Sequence, residues 1–274
     1  MTPTPVIINA ALTGMVPTEV DNPHVPITPE EIIEDAVRCH EAGASIIHMH
    51  ARGEEGRPTY RAEVYKRIID GIRSNIDVII CASTSGRCFQ EFEKRSEVLA
   101  LRPEMATLTM GSVNSRTDTL LNPPDVIMKL ANRMWELGVK PELEIFEPGM
   151  LNYAKYLIKR GILTDKPPCF NLFFGLLGGI PAELKDMGYL ISSLPEGAVW
   201  GCAGIGRYQL RANVASIMFG GHVRVGLEDN LYFDDEGKEL AANALLVRRL
   251  AEVAGLVGRR VATVGEAREI LNIA

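Results

Sequence analysis

Eight short apolar runs, each followed by an amphipathic stretch, recur from one end of this chain to the other. The runs are Val6–Asn9, Ser45–His50, Asp77–Ala82, Met105–Thr109, Glu142–Phe146, Cys169–Phe174, Ala198–Cys202 and Val223–Val225. Thr28 caps the first helical stretch, with Pro29 at its first position and Glu31 completing a capping box; it runs to Cys39–Glu41 and stops at Gly43. Further helices are predicted near Ala62–Arg73, Gln90–Ala100, Pro124–Leu137, Leu151–Lys159, Pro181–Leu190, Tyr208–Phe219 and Leu240–Leu256. Gly138, Gly161 and Gly220 punctuate their ends. Eight strand–helix units without a break in composition predict one α/β domain over residues 1–274, a (β/α)8 TIM barrel. Gly265–Leu271 reads as one extra C-terminal helix packed outside it. A doubly wound open sheet would prefer a GxGxxG turn after its first strand, where this chain has Asn9-Ala-Ala-Leu-Thr-Gly14.

Composition narrows the function. A chain of 274 residues, 46% hydrophobic, can bury a large core. Its net charge of −6 argues against a nucleic-acid binder, which would show a basic face. No stretch approaches the roughly 20 apolar residues that a membrane span needs. The first residues, Met-Thr-Pro-Thr-Pro-Val, carry neither a charged n-region nor an apolar h-region. The five cysteines are scattered, without a CxxC pair, which disfavours a cysteine zinc site and predicts reduced thiols in the cytoplasm. Cys81, Cys169 and Cys202 lie in apolar runs and read as small core residues.

The residues with chemistry gather where strands end. His48 and His50 stand at i and i+2, so on a strand they share a face. Their Cα atoms would lie about 6.6 Å apart, close enough for two imidazoles to meet on one metal ion. A catalytic zinc commonly takes three protein ligands and an open position. The eighth unit, Gly221-His-Val-Arg224-Val-Gly-Leu-Glu228-Asp229-Asn230, offers Glu228 as a third ligand, Asp229 as a base and Arg224 as the charge partner that keeps Asp229 ionised. His222 precedes the strand, at the opposite end of the barrel, and reads as structural. Ser83, Thr84, Thr107 and Thr109 supply hydroxyls for a substrate carboxylate, or serve as turn and cap residues. Glu142 and Glu144 alternate with apolar neighbours, and at least one of them, Glu144 being the candidate, is expected to face the site. Gly178 and Gly179 follow the sixth strand; Gly204, Gly206 and Arg207 follow the seventh, where barrels often bind phosphate.

These residues resemble a known family. Ile-Ile-His48-Met-His50 with Gly-Arg-Pro soon after, Arg102-Pro-Glu-Met-Ala-Thr-Leu, Gly204-Ile-Gly-Arg and Gly220-Gly-His-Val-Arg-Val-Gly-Leu-Glu-Asp-Asn occur in the order seen in the β-keto acid cleavage enzymes, typified by 3-keto-5-aminohexanoate cleavage enzyme. The resemblance runs over nearly the whole chain. It implies a zinc-dependent TIM barrel, usually a homo-oligomer and often a tetramer. It implies Zn2+ on His48, His50 and Glu228, keto acid contacts from Ser83 and Thr107, and Arg224 with Asp229 as the catalytic pair. The implied reaction converts a β-keto acid and acetyl-CoA into a new acyl-CoA and acetoacetate, with the CoA pyrophosphate at the glycine turns. Two positions depart from the aminohexanoate pattern. Its Glu in the first βα loop is Val16 here, and an Asn common on the fourth strand is Thr109. A keto acid with a neutral or anionic tail is therefore expected over one with an amine. A metal-dependent hydrolase or aldolase would differ by acting without acetyl-CoA, and a non-catalytic acyl-CoA-binding protein by binding CoA without turnover.

Overall fold

The computed structural model describes residues 4–273. Eight parallel strands close into a barrel: β1 (Ile8–Ala11), β2 (Ile46–Met49), β3 (Ile79–Ala82), β4 (Met105–Thr109), β5 (Lys140–Ile145), β6 (Cys169–Phe174), β7 (Val199–Gly204) and β8 (His222–Val225). Each pairs with the next in sequence, and β8 returns to β1 with Ile8 opposite Val223 and Asn9 opposite Arg224. That pairing rules out the open sheet.

Eight helices alternate with the strands: α1 (Pro29–Glu41), α2 (Ala62–Asn75), α3 (Phe92–Ser96), α4 (Pro124–Leu137), α5 (Pro148–Lys159), α6 (Leu184–Ser192), α7 (Gln209–Met218) and α8 (Asn243–Leu256). The Thr28 capping box at α1 is present as expected, with the Thr28 side chain accepting from Glu31 N–H. Four helices differ from expectation: the fifth starts three residues earlier, at Pro148, and the eighth three residues later, at Asn243. The third is one α-helical turn continued by a 3-10 segment, Glu97–Leu101, and the sixth starts at Leu184, past Pro181. The β-branched Val98 lowers local helix preference in the third. No described helix is long and apolar enough to cross a membrane.

The inside of the barrel changes character along its axis. At the N-terminal end Ile7, Ile46, Ile79, Met105 and Cys169 form an apolar plug. The last helix, α9 (Val264–Leu271), places Ala267 and Leu271 against that plug, so it caps the barrel's bottom rather than joining the outer ring. Two residues further along, the inward positions turn polar on six of the eight strands. Strand periodicity sets Asn9, His48, Thr107, Glu142, Asn171 and Arg224 in the middle of the barrel, all buried. Burying so many polar groups is costly unless they are paired or used.

Candidate active site

The C-terminal mouth opens into a cleft of about 320 Å³ whose lining includes His50, Ser83, Glu144, Arg224, Glu228 and Asp229. The metal candidates meet at its floor. The His48 and His50 rings stand 5.2 Å apart between centroids, nearly perpendicular. Their Nε2 atoms lie 3.3 and 3.2 Å from the two carboxylate oxygens of Glu228. One ligand atom from each of the three falls within 4.8 Å of the others. Burial holds the His48 imidazole down to about 4, hence neutral, the form in which it binds metals. Burial works against the Glu228 charge, but Arg224 and the two histidines hold its carboxyl well below the usual range. His48 Nε2 and Glu228 Oε2 are both buried without a hydrogen-bond partner. Two imidazoles and a carboxylate, with the His48 and Glu228 lone pairs orphaned and converging, are a donor set that fits Zn2+.

Glu228 is held by a tight turn and a close glycine. Asp229 and Asn230 N–H both donate to Gly226 O, and Leu227 N–H donates to Asn243 Oδ1. Asn243 in turn donates to Leu12 O and Asp35 Oδ2, tying the β8 turn to β1. Gly14 has a φ of 63°, and a Cβ there would lie 2.7 Å from Glu228 Cγ, so a side chain would displace the carboxylate.

Arg224 is the hub. Its Nε donates to Asp229 Oδ2 at 2.9 Å and its Nη2 to Glu228 Oε1 at 2.7 Å, while Nη1 lies 3.6 Å from Glu144 Oε1. The guanidinium also sits 4.9 Å over the Phe173 ring. Asp229 differs from expectation in direction. Burial raises its carboxyl above the ordinary value, and Arg224 only partly offsets this. A raised carboxyl is the stronger base of the two possibilities.

Of the four hydroxyls assigned to substrate, Ser83 lines the cleft. Thr84 donates its hydroxyl to Thr107 O and its N–H to Thr107 Oγ1, so those two join β3 to β4. Thr109 donates to Glu144 Oε2 at 2.5 Å. The two β5 carboxylates both point inward. Glu144 faces the cleft, and burial pushes it up to about 8. Glu142 lies deeper, accepting from Asn9 Nδ2 at 2.9 Å.

The glycine turns depart most from expectation. A Cβ on Gly178 would lie 2.2 Å from Asn114 O, one on Gly179 2.6 Å from Phe146 O, and one on Gly204 2.3 Å from Tyr208 O. Close packing of backbone explains all three. Gly206 N–H is already donated to Asp229 O at 2.7 Å. Arg207 is exposed and free to meet an anion.

Several residues that shape the site carried no sequence signal. Buried Arg52 donates to the carbonyls of Thr13, Gly14, Pro17 and Gly56, fixing the loop that brings Met15 and Val16 to the cleft. Buried Arg95 donates to Thr84 O, Leu121 O and Asn122 Oδ1, fixing the end of β3. Arg87, Ser115, Arg116 and Thr117 form another wall.

A model of the beta-keto acid cleavage enzyme family matches residues 5–273. The chain is 40% identical over 269 residues to a 3-keto-5-aminohexanoate cleavage enzyme of Fusobacterium nucleatum subsp. nucleatum, covering 97% of both chains. It is 36% identical over 274 residues to a 3-oxoadipate:acetyl-CoA acetyltransferase of Cupriavidus necator, covering 98% of this chain and 95% of that one. Apo ObcA shares the fold, with a TM-score of 0.78 at 20% identity over 92% of this chain and 66% of its own. The chain belongs to the beta-keto acid cleavage enzyme family.

Proposed function

We propose that the protein is a zinc-dependent acyltransferase that converts a β-keto acid and acetyl-CoA into an acyl-CoA and acetoacetate. The observation that carries this is the convergence of His48, His50 and Glu228 beside the Arg224–Asp229 pair in one cleft. Acetyl-CoA as co-substrate is supported by the relative named as an acetyl-CoA transferase.

His48, His50 and Glu228 would hold the ion. When bound, Zn2+ supplies Lewis-acid polarisation of the keto acid's oxygens. Asp229 removes the proton from the carbon between the two carbonyls. Arg224 holds that carboxylate in place through its Nε hydrogen bond. The resulting carbanion attacks the thioester carbonyl of acetyl-CoA and the CoA thiolate leaves. The thiolate then attacks the original keto carbon, the C–C bond beside it breaks, and acyl-CoA departs. Asp229 returns its proton to the acetoacetate carbon. Glu144, whose carboxyl burial pushes up to about 8, is the acid group we assign to the substrate's side of the cleft. Ser83, which lines the cleft, is the hydroxyl we assign to the acid. Arg207 is the group we assign to the CoA pyrophosphate.

Val16 lines the cleft and brings no charge to an ammonium, which favours a neutral or anionic tail. Val16→Glu should shift preference toward the amine. We further propose association with copies of itself as a tetramer, supported by exposed Met218, Phe219, Leu256 and Val257 at the ends of α7 and α8; light scattering tests it. Four of the five cysteines are buried and all are unpaired, which supports a reducing, cytoplasmic setting.

The test is a panel of β-keto acids with and without acetyl-CoA, read by mass spectrometry of acyl-CoA products. Turnover that ignores acetyl-CoA would assign a hydrolase or aldolase instead. Tight CoA binding without turnover would assign a sensor.

A further inference from the structure

One wall of the cleft carries a positive charge that the protein does not neutralise. Three arginines line the cleft: Arg87, Arg116 and Arg224. Arg224 is engaged by Glu228 and Asp229. Arg87 donates to both oxygens of Asp118, at 2.7 and 2.8 Å. Among the described residues no carboxylate forms an ion pair with Arg116. The three carboxylates lining the cleft, Glu144, Glu228 and Asp229, all lie within 3.6 Å of Arg224.

Arg116 is presented on a built support. It stands at the tip of a hairpin in which Val113 pairs with Leu120 and Asn114 with Thr119. Ser115 N–H donates to Asp118 O at 2.8 Å and closes the turn. The Arg87–Asp118 pair ties the same turn to the β3 loop. The backbone is thereby fixed while the guanidinium stays free, flanked by Ser115 and Thr117 on the same wall. An apolar strip, Met15, Val16 and Leu120, also lines this cavity and suits methylene groups. At about 320 Å³ the cavity suits a small acid with one end at the floor and the other at this wall.

We propose that Arg116 binds an anionic group at the far end of the keto acid, which makes the preferred substrate class a 3-oxo dicarboxylic acid. The proposal rests on the β-keto acid reading above. A guanidinium fork matches a carboxylate in two parallel hydrogen bonds, whereas an ammonium tail would meet like charge. A CoA phosphate could present the same anionic chemistry to Arg116, so the test separates the two sources.

The zinc-loaded protein is titrated calorimetrically, without acetyl-CoA, with 3-oxo acids of equal length ending in carboxylate, methyl or ammonium. The diacid should bind about tenfold more tightly than the methyl-ended acid. Arg116→Met should abolish that difference and Arg116→Lys keep part of it. Where the acids turn over with acetyl-CoA, Arg116→Met should raise KM for the diacid by a similar factor and leave KM for acetyl-CoA unchanged. Equal binding of diacid and methyl-ended acid to the native protein overturns the proposal, whether or not turnover occurs. A rise confined to the acetyl-CoA KM also overturns it and gives Arg116 to a CoA phosphate. Tight, Arg116-dependent diacid binding without any acyl-CoA product upholds the proposal while sinking the transferase reading.

Discussion

The two ends of the barrel each bury a histidine and an arginine, and they use them in opposite ways. At the bottom, His222 Nδ1 accepts Ile7 N–H at 3.0 Å, and Arg259 donates to Thr4 O, Ile217 O and Gly221 O. Backbone groups satisfy both, with no carboxylate among those bonds. At the top, His48 Nε2 and Glu228 Oε2 are left without hydrogen bonds, and Arg224 faces three carboxylates. Burial lowers His48 and His222 alike to about 4. Burial and a shifted titration therefore do not separate a working histidine from a structural one. What separates them is whether the protein itself completes their bonding.

The largest effect that would break this comparison is loss of the ion. Chelation, or His48→Ala, should abolish turnover, and added Zn2+ should restore the chelated native protein but not the variant. Metal analysis should find about one zinc per chain in the native protein, with bond lengths of roughly 2.0–2.2 Å in a loaded crystal. Zinc bound away from His48, His50 and Glu228 would remove the top end's claim to be different.

Asp229→Asn should come next. The amide keeps the size of the group but cannot accept the substrate proton, so kcat should fall on the order of 10²-fold or more with zinc retained. Near-normal kcat in a folded, zinc-loaded variant would take the base away from this position.

The barrel was legible in the sequence because each strand is a short apolar run set off by glycine or proline. Met105–Thr109 and Cys169–Phe174 have the bounds that the pattern implies. The floor of the site was legible for a related reason. His48 and His50 are polar residues at an unexpected place in an apolar run, and Glu228-Asp229 sit just past one. The walls were not. Arg52 and Arg95 act through backbone carbonyls of other loops, and a carbonyl leaves no trace in residue identity. Arg116 lies in a polar turn that reads like any solvated loop. Gly178, Gly179 and Gly204 carried a misleading signal, because a glycine needed for close backbone approach looks the same as one that frees an amide for phosphate.

The smallest expected effect tests the bottom end. The His222 imidazole is neutral in the folded protein, held down to about 4 first by burial and then by nearby Arg259, against 6.5 as its ordinary value. Between pH 6.5 and 4 the unfolded chain takes up a proton there that the folded chain refuses, so stability falls as pH drops through that window and is flat above it. By pH 5 this one group should cost about 2 kcal/mol relative to pH 7. His222→Gln keeps an acceptor for Ile7 N–H yet cannot titrate. Urea unfolding midpoints at pH 7 and pH 5 give the comparison: the variant should lose less stability on acidification than the native protein by about that amount. His48 titrates in the same window when no ion is bound, so both proteins are measured under identical zinc conditions and its contribution cancels. An equal acid loss in the two proteins would mean that His222 is already free to protonate. The bottom histidine would then be no better satisfied than the top one, and the contrast between the two ends would have to rest on the carboxylates alone.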